Sequence, residues 1–269
     1  MKDLPTSFKI VLIGAGNVAT QLGLSLSKKG VTITQVYNRT LAGAQQLANK
    51  LNTRATNSIN DIDASADLYL LAVKDDALAE VLTQIKFIPK LIAHTSGTLP
   101  LAIFKGKFKN NAVIYPLQTI SKSKRISFSK VPFFLEANNK QSFEIIEKVA
   151  GLLSSNLHKA STEKRKALHV AAVFACNFSN HMYAIASEIL QKEKIPFDVL
   201  LPLIHETAEK AKAAEPAAMQ TGPASRNDKR VIEAHLKYLK ESPSNKKIYT
   251  LVSQSISDFT KKYGAKSKS

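Results

Sequence analysis

The run Gly14-Ala15-Gly16-Asn17-Val18-Ala19 limits what this chain can fold into more than any other feature. This G-x-G-x-x-A pattern follows directly on a continuous apolar segment, residues 8–13. It opens a segment, residues 18–29, with helical apolar spacing that ends at Gly30. Strand, glycine turn and helix in that order are the setting in which the pattern has a mechanism. Gly14 permits a tight turn, Gly16 lets the backbone approach a pyrophosphate, and Ala19 is small enough for a helix to pack closely on a strand. The free N–H groups and dipole at the helix start favour an anion there. An ordinary strand–turn–helix made of small residues would read the same, and the neighbouring segments decide between the two.

Those segments continue the alternation. Residues 31–37 are β-rich, Leu41–Leu51 is helical, 68–73 is a strand and 77–85 a helix. Strands follow at 90–94, 112–115 and 133–136, and a helix at 142–153 closes the series. Continuous apolar strands separated by helices indicate a parallel sheet covered on both faces. The expected fold class is therefore α/β, a Rossmann doubly wound parallel sheet. The second half changes character. Residues 162–192 hold no proline or glycine, and their apolar spacing predicts one long helix. Three more helices are expected at 197–214, 228–240 and 245–261, punctuated by Pro196, Pro216, Gly222, Pro223 and Pro243. The reading is a dinucleotide-binding domain over 1–156 and an all-α domain over 157–269, with a low-complexity tail from Lys261.

Composition narrows the function. The single cysteine, Cys176, excludes an internal disulfide and a zinc site built on several thiolates, and it fits a reducing cytoplasm. No apolar run approaches the ~20 residues of a membrane span. The net charge of +17 would suit nucleic acid. The surplus is spread almost evenly over the two halves, however, and no aromatic-interleaved basic stripe appears. The nearest patch is Lys122, Lys124, Arg125 and Lys130 in one loop. Diffuse charge of this kind marks a solvated face and favours small anionic ligands over nucleic acid.

The second strand selects the nucleotide. An NAD site ends this strand with Asp or Glu on the ribose 2′-hydroxyl. Here it ends Tyr37-Asn38-Arg39-Thr40, with no carboxylate and a guanidinium where a 2′-phosphate would lie. Asn38 and Thr40 add donors, and Thr40 also suits a helix N-cap. The expected cofactor is NADP(H), held by Gly14, Ala15, Gly16, Asn17, Val18, Asn38, Arg39 and Thr40. Val73 and Lys74, at the end of the 68–73 strand, border it. Asp75 and Asp76 read as a cap with a first-turn acid rather than a catalytic pair.

Candidates for chemistry lie at other strand ends. His94 titrates near neutrality and can shuttle a proton, while Ser96 and the Gly97 backbone can donate to a carboxylate or carbonyl. The alternative is a plain turn with His94 bonded to nearby backbone. Gln118 ends the following strand on the same side. Along the predicted long helix, His169, Val173, Asn177 and His181 recur every four residues, with Asn180 beside them, among apolar neighbours such as Ala171, Phe174 and Phe178. This stripe lines either a substrate cleft or an interhelical hydrogen-bond network. No metal is expected, because His169 and His181 are too far apart and His205-Glu206 lacks a second histidine four residues on. Cys176 reads as core. The loop 221–228 presents Arg226 as a clamp for an anionic group, with Asp228 as the cap of the next helix.

Taken together, segments 14–19, 71–76, 94–98, 115–119, 132–137, 169–181 and 221–228 resemble a family of Rossmann-like proteins with a C-terminal domain of unknown function, described as NADP oxidoreductases. More remotely, the arrangement is similar to the superfamily of 6-phosphogluconate dehydrogenase, β-hydroxyacid dehydrogenase, ketopantoate reductase and pyrroline-carboxylate reductase. That likeness implies a 6-phosphogluconate-dehydrogenase-like C-terminal domain that supplies substrate contacts and a homodimer interface. Several such enzymes carry a catalytic lysine four residues before an asparagine. Asn177 matches that asparagine, but Val173 stands at the lysine position. His94 or His169 would then carry the proton, with Asn177 completing the catalytic set. The expectation is an NADP(H)-dependent oxidoreductase acting on a small, anionic carbonyl or imine. Ser96, Gly97, Gln118, Asn180, His181 and Arg226 would hold the substrate. The alternative is an NADP(H)-binding sensor or scaffold without turnover.

Overall fold

The computed structural model describes residues 4–5 and 7–264. The tail singled out above lies, from residue 265 on, outside the described residues. The chain divides into two compact units, Met1–Asn177 and Phe178–Ser269. This division falls beyond the position 156 drawn from the sequence, because the sheet and its contacts continue past that point.

The first unit is an eight-stranded sheet of order β3-β2-β1-β4-β5-β6-β7-β8. β1 (Lys9–Ile13), β2 (Thr32–Tyr37), β4 (Leu68–Leu71), β5 (Ile92–His94) and β6 (Asn111–Pro116) are the expected strands. Their pairings with one another are parallel. Two short edge strands were not expected: β3 (Arg54–Thr56) beside β2, and β8 (Leu157–Lys159) beside β7 (Phe133–Ala137). Each is only three residues long, too short for an alternation to register. β7 runs antiparallel to β6, pairing Ile114 with Leu135. The all-parallel sheet is thus corrected at one strand, because the β6–β7 connection is a loop rather than a crossover helix.

α1 (Asn17–Lys28), α2 (Leu41–Leu51) and α4 (Lys140–Gly151) bury their apolar stripes on one face of the sheet. α3 (Asp75–Gln84) packs on the other with Phe104 and Phe108. The central strands are apolar on both sides: Ile10, Val11, Leu12 and Ile13 are all fully buried. The winding direction reverses between β1 and β4, and at such a switch point the strand ends open a crevice.

The predicted helix over 162–192 is not uniform. α5 (Thr162–Ala172) passes through a π-helical segment, Val173–Phe178, into α6 (Ser179–Lys192). π-turns hold more residues per turn than an α-helix. The second unit adds α7 (Leu201–Ala213), α8 (Lys229–Tyr238) and α9 (Pro243–Gly264). Asp228 caps α8 as expected, accepting from Val231 N at 3.2 Å. Among the described residues of this unit, only Ala224 and Leu239 are buried apolar side chains. The core-like reading of the long helix is corrected too: Ala171, Phe174, Cys176 and Phe178 are exposed. No helix is long and apolar enough to cross a membrane.

Candidate active site

The glycine turn is built as its residue types require. Gly14 has φ +110°, where a side chain would be strained, and a Cβ there would stand 2.6 Å from Ala72 O and 3.1 Å from Val73 Cγ1. Its N–H donates to Tyr37 O at 2.7 Å, tying the turn to the end of β2. Ala15 and Ala19 are buried against the sheet, and Val18 packs on the same core. Gly16 differs. A Cβ there would meet only Ala72 O, at 3.8 Å. The protein leaves that space open. No side chain caps α1, and no acidic residue stands in its first turn. Intrahelical bonding begins with Thr20 N to Gly16 O, so the amides of Asn17, Val18 and Ala19 precede it. These free amides, with no acidic side chain beside them, suit a diphosphate.

At the tip of β2, Asn38 Nδ2 donates to Thr40 O and Oγ1 at 3.2 and 3.1 Å. Gly43 makes this possible, since a Cβ there would lie 2.5 Å from Asn38 Nδ2. Thr40 Oγ1 accepts that bond and keeps its own hydrogen to donate. Thr40 is the N-cap residue of α2, without a side-chain capping bond. Arg39 is exposed and pairs with no carboxylate among the described residues. A guanidinium held free beside these donors suits a phosphate. Lys74 is likewise exposed, at the start of α3. Asn17 Nδ2 donates to Ile120 O, and the buried Gln21 Nε2 donates to Ser121 O and Lys124 O. The basic loop is thereby fastened to the helix that carries the cradle.

A second cluster lies beyond β5. His94 is buried, stacks on Phe104 with ring centroids 5.5 Å apart, and accepts from Ser96 N at Nδ1. Among the described residues its Nε2 has no hydrogen-bond partner. Burial, with the Arg165 charge second, pushes its pKa down to about 3, so the ring stays neutral and presents almost no surface. Ser96 Oγ donates to Asp75 Oδ2 at 2.9 Å and accepts from Thr98 N and Leu99 N, leaving no donor for a substrate. Thr98 Oγ1 also donates to Asp75 Oδ2. The expected capping role of Asp75 is thus corrected: it stands inside α3 and tethers the 94–98 loop, while Lys74 occupies the N-cap position.

Sequence reasoning missed the group that organises this loop. Arg165 on α5 is completely buried. Its Nη2 and Nε donate to Glu136 Oε2 of β7 at 2.7 and 3.1 Å, and further bonds reach Ser96 O at 2.9 Å and Leu99 O at 3.0 Å. Thr162 Oγ1 donates to the same carboxylate. Arg165 sits between Lys164 and Lys166 in sequence and reads there as part of a solvated basic run. The one available signal was Glu136, a carboxylate in an otherwise apolar strand, which must find a cation. One turn along α5, His169 Nδ1 lies 3.0 Å from the Tyr115 hydroxyl, with the rings edge to face. Gly97 makes room for the pair: a Cβ would stand 2.7 Å from the Tyr115 ring and 2.9 Å from His169 Nδ1. The sequence alone gives Tyr115 no role beyond the end of a strand. Gln118 itself is exposed and accepts from Thr119 N. Asn177, Asn180, His181 and Arg226 are exposed, and the last three belong to the second unit. No cluster of three or more His, Cys, Asp or Glu side chains fit to hold a metal occurs among the described residues.

Comparison with known proteins fits this geometry. Residues 9–94 match the model of the NADP oxidoreductase, coenzyme F420-dependent family, and residues 131–256 match a domain of unknown function, DUF2520. The crystal structure named "putative NADP oxidoreductase BF3122" from Bacteroides fragilis is 44% identical, covering 94% of this chain and 99% of its own, with TM-score 0.90. This chain belongs to that NADP oxidoreductase family. Two more distant structures share the fold. The imine reductase from Myxococcus stipitatus, in complex with NADP+, is 16% identical over 96% of this chain and 94% of its own (TM-score 0.63). The reductive aminase from Aspergillus terreus, in complex with NADPH and ethyl levulinate, is 14% identical over 95% and 94% (TM-score 0.70). No curated protein matches.

Proposed function

We propose that this protein is an NADP(H)-dependent oxidoreductase that reduces a small, anionic carbonyl or imine, or oxidises the corresponding product. The observation that carries the reading is the uncapped α1 terminus behind Gly14 and Gly16, with the unpaired Arg39 at the tip of the neighbouring strand. Gly14, Ala15, Gly16, Asn17 and Val18 hold the diphosphate. Arg39 and the Thr40 hydroxyl take the 2′-phosphate, and Val73 and Lys74 border the ribose. When bound, the nicotinamide supplies or accepts a hydride. The chain's own task is to orient the reactants and to manage one proton.

That proton is held by His169. Its ring is half-buried and fixed at Nδ1, whereas His94 is sealed and neutral. His94 and Ser96 shape the loop that seats Gly97. Gln118, Asn177, Asn180, His181 and Arg226 are the proposed substrate contacts. The superfamily likeness and the exposed apolar side chains of the second unit support a homodimer, and the lone thiol supports a reducing, cytoplasmic setting.

Titration calorimetry with NADPH and NADH tests the cofactor reading. NADPH is expected to bind more tightly. Arg39→Ala should lose roughly 10–100-fold in NADPH affinity, the worth of a charged phosphate contact, and leave NADH unchanged. Equal wild-type affinities would overturn the preference. A panel of 2-oxoacids, semialdehydes and cyclic imines, followed by NADPH absorbance, tests turnover. Tight binding with no turnover on any of them would favour the sensor reading, which the missing lysine at Val173 motivates.

A further inference from the structure

The Tyr115–His169 pair goes a step further, resting on the oxidoreductase reading for its chemical meaning. Tyr115 is buried, and burial raises its pKa above the usual tyrosine value, so the phenol keeps its proton. That hydrogen needs an acceptor. Among the described residues, the only hydrogen bond of the hydroxyl is with His169 Nδ1, at 3.0 Å. If the imidazole carried its hydrogen on Nδ1, the phenol would accept and its own buried hydrogen would have no partner. If the phenol donates, both groups are satisfied and the imidazole hydrogen must sit on Nε2.

We infer that Tyr115 is a positioning residue that locks His169 in the Nε2–H tautomer, turning one nitrogen into a dedicated proton donor. The charged and titratable groups facing the pair are few. Arg165 lies one turn back on α5 and acts electrostatically on Tyr115, and its charge is taken up by Glu136. Gly97 lies against the pair, where a Cβ would stand 2.7 Å from the Tyr115 ring and 2.9 Å from His169 Nδ1. During reduction the Nε2 proton would pass to the substrate oxygen or nitrogen as that atom gains its electron pair. The imidazolate this would leave is avoided if the phenolic proton moves to Nδ1 in the same event. The charge this puts on the Tyr115 oxygen, which burial disfavours and the Arg165 charge only partly offsets, is discharged as solvent returns a proton. In oxidation the same transfers run backwards. This assigns the proton chemistry to a phenol–imidazole pair rather than to the lysine used elsewhere in the superfamily.

Two-bond ¹H–¹⁵N correlation spectra of the ¹⁵N-labelled full chain above pH 8, with His169 identified by its loss in His169→Gln, read the tautomer directly. The expected wild-type pattern is hydrogen on Nε2. In Tyr115→Phe the two tautomers should average, and kcat for any substrate found should fall roughly tenfold or more with KM for NADPH unchanged. A wild-type Nδ1–H pattern, or an Nε2–H pattern untouched by Tyr115→Phe, overturns the inference. The wild-type spectrum alone decides should the variant fail to fold. NADPH titration of the same samples keeps the two readings apart: absent binding sinks the oxidoreductase, whereas the tautomer result stands or falls on its own.

Discussion

Single residues in this protein are most informative where the surroundings forbid a substitute. Gly97→Ala would drive a Cβ into the Tyr115 ring and His169 Nδ1 at once. The expected outcome is a loss of about 1–3 kcal/mol, as in other overpacked sites, and loss of the Tyr115–His169 hydrogen bond, checked by urea unfolding and the tautomer spectrum. His94 makes a prediction about pH. Folding leaves it neutral, with a pKa near 3 against about 6.5 in an unfolded chain. The unfolded state therefore binds more protons across that window. The contribution of His94 is fully present above about pH 6.5 and is lost as pH falls toward 3, at up to ~1.4 kcal/mol per pH unit. Unfolding midpoints at pH 7.5, 6 and 5 should decline in wild type and decline less steeply in His94→Gln. Neither position betrays this in sequence. The letters His94-Thr95-Ser96-Gly97-Thr98 announce a loop at a strand end, but which atoms are sealed depends on Phe104, Arg165 and Asp75, all supplied from elsewhere in the chain.

Between elements, the decisive contact is the buried Arg165–Glu136 pair joining α5, β7 and the loop after β5. Two charges taken out of water gain little over an apolar pair, but removing one partner strands the other. Arg165→Ala should cost ~3–5 kcal/mol in denaturant unfolding, while the double variant Arg165→Met, Glu136→Leu should recover much of that loss. Elements were legible where their periodicity is long. β1, α1, β2, α2 and the long helical stretch were read within a few residues of their ends. The π-helical segment at Val173–Phe178 was not, since a local change of hydrogen-bond register leaves the composition helical. The antiparallel turn of β7 was equally hidden: strand direction follows from how residues 117–132 route the chain, which no single strand records.

At the scale of the molecule, the two units differ in what they bury. The first encloses a two-sided sheet core, whereas the second leaves Val199, Leu203, Leu251 and Phe259 more than half exposed and buries only Ala224 and Leu239 among its described apolar residues. Uncovered apolar side chains on this scale call for a partner surface, and a second copy is the proposed one. Light scattering should therefore give about twice the 29.4 kDa chain mass. The melting temperature should rise with protein concentration, as mass action requires of a folded dimer. Leu203→Glu or Leu251→Glu should shift the mass toward the monomer. A monomeric wild type at micromolar concentration would refute the assembly.

Local chemistry is what the chain states outright. Glycines that tolerate positive φ, an apolar run ahead of them and a guanidinium without a neighbouring carboxylate act over a few residues, so the dinucleotide cradle and the doubly wound sheet could be read directly. The proton-handling pair could not. Tyr115 and His169 are 54 residues apart, and they meet because Arg165 ties α5 to the Gly97 loop and to β7, the strand beside β6. A hydrogen bond's worth depends on what excludes water around it, and that exclusion is a property of the packed structure alone.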